Sequence, residues 1–453
     1  MQGEEKVNQE HGLLHQLTAG QMAMVAVGGS IGTGLLLGSA AAMGIAGPGV
    51  IVSFLIATFI AWTVTLAMGE MACVHPAAGS FGLYAELYLN PWAGFVSRYG
   101  YWAAIAFAVG AELVASATYM AFWFPRVPAM VWIAMFATVL LAINLRSVGA
   151  VGRFEYWFAM VKVVTITAFI LAGGFLLLSG HVPAQYTAQG GFFPMGRWAP
   201  LLATSFALYT FAGIEMVVVS TGESRSVAEI PRAVRITFAL LAFVYLGAMV
   251  VLVGVMPWNR AGVTESPFVS VFRHVNLPGV SHLMNFVVLT AALSGANAAL
   301  YVDSRMLFSL ARGGYAPPRL GRLNAAGSPV LALLVSSFGI VVALAMEKWV
   351  PQDAFVYIIE AALFGAMLSW LVSLAAHVSF RRQLPAQRLA ELPLRSPGGA
   401  GLSALGLAGL VIAIAATWWV SPTTVVSSAV YLALLTLAYF LMKKTGAKST
   451  MAK

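Results

Sequence analysis

Charge is scarce in this chain: only 9% of its 453 residues are Asp, Glu, Lys or Arg, whereas 60% are hydrophobic. A soluble core of ordinary proportions cannot hide that much apolar surface, so lipid must cover most of it. Cysteine is scarcer still. Cys73 stands alone, which excludes an intrachain disulfide. The seven histidines (His11, His15, His75, His181, His274, His282 and His377) fall at expected helix ends or in connections and form no cluster of metal-ligand spacing. No metal and no cofactor is therefore expected, and an enzyme is not, because no nucleophile or metal cluster gathers at one depth. An apolar stretch is also missing at the start, where Met1 to Leu17 carries glutamates, asparagine and histidines, so no cleavable leader is expected. The net charge of +9 comes from short, scattered groups rather than a basic stripe interleaved with aromatics, so nucleic acid is not an expected partner.

Long apolar runs are what the chain has instead. A hydrocarbon core of roughly 30 Å asks for about 20 apolar residues per helical span. Twelve such runs can be read, at 21–46, 49–73, 92–123, 128–145, 156–179, 199–221, 234–256, 280–308, 329–347, 353–377, 401–419 and 422–441. Sorting the 25 Lys and Arg residues by alternate connections puts nineteen on the side of both termini and five on the other, with Lys162 inside a span. That asymmetry predicts a multi-pass protein of the cytoplasmic membrane with both termini inside. Most tryptophans, Trp92, Trp123, Trp258 and Trp349 among them, sit near span ends as interfacial anchors.

Two spans carry helix breakers at mid-depth. The first holds Gly28-Gly29-Ser30-Ile31-Gly32-Thr33-Gly34, four glycines in seven residues, each costing a helix roughly 1 kcal/mol relative to alanine. The sixth holds Phe211-Ala212-Gly213-Ile214-Glu215. Interrupted helices five spans apart are what inverted repeats of five helices predict, with a substrate site between the breaks. The expected organisation is a cytoplasmic segment 1–20, a first repeat 21–180 (helices 1–5), a second repeat 199–377 (helices 6–10), helices 11–12 at 401–441 and a cytoplasmic tail 442–453. A half-helix beginning at mid-membrane offers unpaired N–H groups to a carboxylate, and carbonyls freed at the other break can take an ammonium group, so a zwitterion suits the pair. Thr33 and Gly34 are the candidates for the carboxylate, Ser30 for the cavity wall, and Tyr209 or Phe211 for an aromatic lid. Close helix packing through small residues is the competing reading of the glycines.

Ionisable groups inside spans need a partner, water or neutralisation. Lys162 in the fifth span, Glu112 in the third and Glu215 beside the sixth-span break are candidates for proton coupling. The alternatives are a Lys162 that reaches the interface with its long stem, and a Glu215 that only bonds the broken backbone. Glu70 and Glu86, near the end of the second helix and in the following connection, are expected in solvated structural roles.

These residues resemble a known family. Gly29-Ser30-Ile31-Gly32-Thr33-Gly34-Leu35, Gly69-Glu70-Met71, Ala78-Gly79-Ser80-Phe81, Ala111-Glu112-Leu113, Ala142-Ile143-Asn144-Leu145, Glu155-Tyr156-Trp157-Phe158 followed by Lys162, Phe211 to Glu215, Met256-Pro257-Trp258, Ser266-Pro267-Phe268 and Ser304-Arg305-Met306-Leu307-Phe308 stand in the order and spacing of the bacterial amino acid permeases, within the amino acid-polyamine-organocation superfamily. The resemblance implies an all-α membrane fold of twelve helices, the leucine-transporter-type 5+5 inverted repeat with helices 1 and 6 broken, and alternating access. In such relatives a fifth-span lysine lies against the first-span break, where sodium-coupled cousins hold a cation. Lys162 matches it, which implies proton symport. The resemblance also carries over Thr33 and Gly34 as carboxylate contacts and the backbone of Phe211, Ala212 and Gly213 as the ammonium contact. The chain departs from the family pattern at Tyr99-Gly100-Tyr101-Trp102 and in a short connection, Gly222 to Val227, both expected to lie away from the pocket.

The partners implied are an amino acid, protons and membrane lipid; oligomeric state is not legible. A neutral substrate, apolar or aromatic, is the expectation. A basic one is the alternative if Glu112 or Glu215 faces it as a carboxylate. An exchanger on the same fold and a non-transporting sensor are the other readings, the sensor being disfavoured by the absence of a long cytoplasmic segment.

Overall fold

The computed structural model describes residues 17–76, 80–146, 151–188, 190–260, 262, 264–275, 278–324 and 328–450. His11, His15, the Ala78-Gly79 part of one motif and most of the expected terminal segment 1–20 lie outside them, as does the end of the tail at 451–453. The described residues are helical almost throughout and form no named strand. Nine of their helices are long and apolar enough to cross a membrane.

The first span is three pieces. Helix α1 (Ala19–Ser30) begins at a capping box between Thr18 and Gln21, ends at the glycine run, and is followed by a π-helical turn, Gly34–Gly38, and by α2 (Ser39–Ala46). A turn at Gly47, with φ of 60°, then reverses the chain into α3 (Val50–Val74). A short helix, α4 (Ser80–Tyr88), leads to α5 (Pro91–Ala121), which starts where the Asn90 side chain accepts from Ala93 N–H at 2.9 Å and Pro91 fills the first helical position. Next come α6 (Ala129–Arg146) and α7 (Val151–Leu178). The sixth run is fragmented into α8 (Ala199–Leu202), α9 (Thr204–Thr210) and α10 (Met216–Val219), with a turn at 211–215. The rest are α11 (Glu229–Val255), α12 (Pro267–His274), α13 (Pro278–Arg312), α14 (Val330–Ser336), α15 (Phe338–Trp349), α16 (Ala354–Gln383), α17 (Ala386–Glu391), α18 (Ala400–Val420) and α19 (Pro422–Thr450).

Helix α5 is the mast of the bundle. Its most apolar window is 83% buried, against 6% for α19, so the first is packed all round and the second lies on the outside of the bundle. It lies against α13, α15 and α16. Two of these contacts are backbone to backbone: a β-carbon at Gly339 would strike the Ala106 carbonyl, and one at Gly365 the Gly100 carbonyl. These glycines serve close packing, as small residues do in membrane helices.

Two ties join elements remote in sequence. Just before α1, Leu17 N–H donates to Glu223 O at 2.9 Å, Arg225 N–H donates to Leu17 O at 3.1 Å, and Ala19 N–H donates to Glu229 Oε2 at 2.8 Å. At the end of α3, Glu70 accepts from Arg381 at 2.6 Å and from Ser396 N–H at 2.8 Å, and lies 3.2 Å from His377 Nε2.

Three expectations are corrected here. Glu70 is fully buried rather than solvated, because the last turn of α16 supplies Arg381 and the connection after it brings Ser396 over the carboxylate. Glu86 is not solvated either: it pairs with Arg98 at 3.1 Å and accepts from the Tyr315 hydroxyl at 2.9 Å. His377 is not at a helix end, since α16 continues six residues past the expected boundary to Gln383, and its ring is buried against Ser403 Oγ at 2.8 Å.

Candidate functional site

The two breaks meet. At Gly213 φ is 102°, a conformation that suits glycine, and a β-carbon there would stand 3.0 Å from Gly29 C and Ser30 N. On the other side of the first break, a β-carbon at Gly34 would stand 3.1 Å from the Tyr209 ring. The glycine runs therefore let two interrupted helices touch where their backbones leave helical geometry.

Three ionisable side chains converge on these breaks. Lys162, 2% exposed, donates from Nζ to Gly28 O at 3.0 Å, capping a carbonyl at the C-terminal end of α1. Glu112 Oε1 accepts from Thr33 N–H at 3.0 Å, taking the donor at the start of the second half-helix. Gly32 and Gly295 leave room for that carboxylate: a β-carbon at Gly32 would strike Oε1, and one at Gly295 would stand 3.2 Å from Cδ. Glu215 accepts from Gly213 N–H at 3.0 and 3.1 Å and from Trp370 Nε1 at 3.1 Å, so it holds the turn of the sixth span. The Tyr101 hydroxyl lies near it.

Between the breaks lies a cavity lined by Ser30, Gly34, Tyr209, Ala212 and Gly213 of the broken spans, by Ala104, Ala108 and Glu112 of α5, and by Ala362 and Ala366 of α16. Of the sequence candidates, Thr33 reaches the site through its backbone N–H. Phe211 turns away from the cavity and packs edge-on against Tyr245 at 4.7 Å, whereas Tyr209 lines it. Lys162 stands behind α1 rather than in the wall. The four alanines could not be assigned from sequence, because a small apolar residue carries no sign of which way it faces. Tyr101 corrects the expectation that the Tyr99 to Trp102 departure lies away from the pocket: it lines the cavity, as Glu215 does.

The sequence profile of the amino acid permease family matches residues 21–448. The chain belongs to that family. Among its relatives, the aromatic amino acid transport protein AroP of Escherichia coli K12 is 38% identical over 383 residues, 83% of this chain and 84% of the relative. The gamma-aminobutyric acid permease of Bacillus subtilis is 33% identical over 417 residues, 90% and 89% of the two chains. AroP of Salmonella typhimurium is 35% identical over 456 residues, 97% and 98%. This permease is thus a multi-pass membrane protein of amino acid transport, in a family of transporters rather than enzymes.

Proposed function

We propose that the permease imports a neutral amino acid, apolar or aromatic, together with protons, by alternating access. It does so across a cytoplasmic membrane with both termini inside, on a fold of twelve spans. Helices 1–5 (21–180) and 6–10 (199–377) form inverted repeats, and helices 11–12 (401–441) flank them. The observation that carries the reading is the first-span break, held by the Lys162 ammonium on its Gly28 carbonyl and by the Glu112 carboxylate on its Thr33 N–H. The Glu112 carboxylate occupies the donor that a substrate carboxylate would use. A proton arriving on Glu112 weakens that bond and frees Thr33 N–H, so proton and substrate enter together. Deprotonation of Lys162 releases Gly28 and lets the break move between its inward and outward arrangements. The substrate ammonium is taken by carbonyls between Phe211 and Gly213.

The four alanines support an apolar side chain, since they present no charge and no hydrogen-bonding side chain to the cavity. The name of the Escherichia coli relative, an aromatic amino acid transport protein, points the same way. A basic substrate is less well supported, because the Glu215 carboxylate is already satisfied by Gly213 and Trp370.

The test is uptake of labelled amino acids into proteoliposomes under an inward proton gradient without sodium, in wild type and Lys162→Ala. Gradient-driven accumulation that is lost in the variant, while exchange survives, is expected. Exchange with no gradient response in either protein would turn the reading to an exchanger.

A further inference from the structure

Asp303, on α13, is buried to 0% exposure, and neither of its carboxyl oxygens has a hydrogen-bond partner. It lies in a helix long and apolar enough to span a membrane, nine residues before that helix ends at Arg312. An ionised carboxylate left unpaired in such surroundings is strongly disfavoured, and intramembrane carboxylates ordinarily have a paired base, water or a proton. No base pairs with it among the described residues. The groups within electrostatic reach of it are Tyr101 of α5, Ser336 of α14 and Tyr431 of α19, all uncharged. Ser336 accepts from Trp102 Nε1 at 2.9 Å, which leaves its own hydroxyl proton as the donor that faces Asp303, a neutral group that does not balance a charge. The wedge is also tight, because Gly339, one turn beyond Ser336, lies against the Ala106 carbonyl of α5.

Its place relative to the cavity matters. Gly295 and Ala299 line the cavity, and Asp303 follows them at steps of four along α13, about 12 Å from Gly295 at 1.5 Å per residue. Tyr101 connects the two, since it lines the cavity beside Glu215 and lies within electrostatic reach of Asp303. A carboxyl differs from an amide of the same shape in that it can give up its proton.

We propose that Asp303 is a proton-binding site separate from Lys162 and Glu112, holding a proton while α5, α13 and α14 close around it and yielding that proton when the wedge opens to water. The site stands whether or not the coupling role given to Lys162 and Glu112 is right. The chain has two aspartates, Asp303 and the exposed Asp353, so labelling the aspartate side-chain carboxyls with carbon-13 reports these two groups alone.

The experiment is infrared spectroscopy of the labelled, full-length protein in lipid vesicles as pH is raised from 5 to 9 (about neutral at the centre). At neutral pH one label-shifted protonated carboxyl and one carboxylate are expected. The protonated band should vanish in Asp303→Asn and persist in Glu112→Gln and Lys162→Ala, which separates this site from the coupling site. In Gly339→Ala, where a β-carbon must push α15 off α5, the proton affinity of the same band should fall at least tenfold. Two carboxylates in the wild type at neutral pH, a requirement that needs no variant to fold, would overturn the proposal. So would an unchanged affinity in a folded Gly339→Ala.

Discussion

Thr33 and Glu112 are 79 residues apart in sequence, yet the Thr33 N–H donates to Glu112 Oε1 at 3.0 Å inside the bundle. A carboxylate of the protein thus sits on the backbone donor that a helix beginning in mid-membrane would otherwise offer to an anion. In the proposed cycle the two compete, so the apparent KM for substrate should rise with pH, by at most about tenfold per pH unit if one proton is taken up with the substrate. Glu112→Gln, which keeps the acceptor oxygen and removes the charge, should flatten that dependence. Exchange measured across pH in vesicles loaded with substrate checks it, and an unaltered slope in the variant would remove Glu112 from the coupling scheme.

The backbone contact between Gly365 and the Gly100 carbonyl makes a prediction about stability. Gly365→Ala forces α16 away from α5 and should destabilise the bundle by about 1–3 kcal/mol, the range for overpacking a tight site. Gly44→Ala is the control, because a β-carbon there meets nothing within 4 Å. Thermal unfolding of the two purified variants should separate them clearly, and equal shifts would mean that the α5–α16 contact relaxes freely.

Arg381→Ala should be costlier. It leaves the fully buried Glu70 without its guanidinium, and breaking a buried ion pair in this way is worth about 3–5 kcal/mol. The double variant Glu70→Gln, Arg381→Ala should recover part of the loss, because no uncompensated charge remains. A double variant no better than the single one would assign the effect to the lost packing of the arginine stem instead.

The helix breaks were legible because glycine density is a local property: Gly28 to Gly34 marks the end of α1, and Gly213 the turn in the sixth span. Lys162, Glu112 and Glu215 were legible for a different reason, each being a charge in an apolar run. What escaped the sequence was pairing at long range. Glu70 finds Arg381 across 311 residues, and nothing beside Glu70 announces it. Asp303 escaped although it stands inside the eighth run, 280–308, because its place in the sequence gives no sign of which way it faces; α13 continues past it to Arg312, and its side chain is buried in the packed interior. Rotation about a helix axis was equally hidden, and with it the alanine wall and the cavity-lining side of Tyr101.

The bonds that join Leu17 to Glu223 and Arg225 bind the start of the first span to the connection that follows the sixth, and the bond from Ala19 to Glu229 binds it to the start of α11. Above them, the touching glycines bind the same two spans at their middles. Fastened at two heights, the broken helices lack the freedom to swing as separate levers. A passage to that end of the molecule must either sever these bonds or turn both broken helices as a single spindle that carries the start of α11 with it.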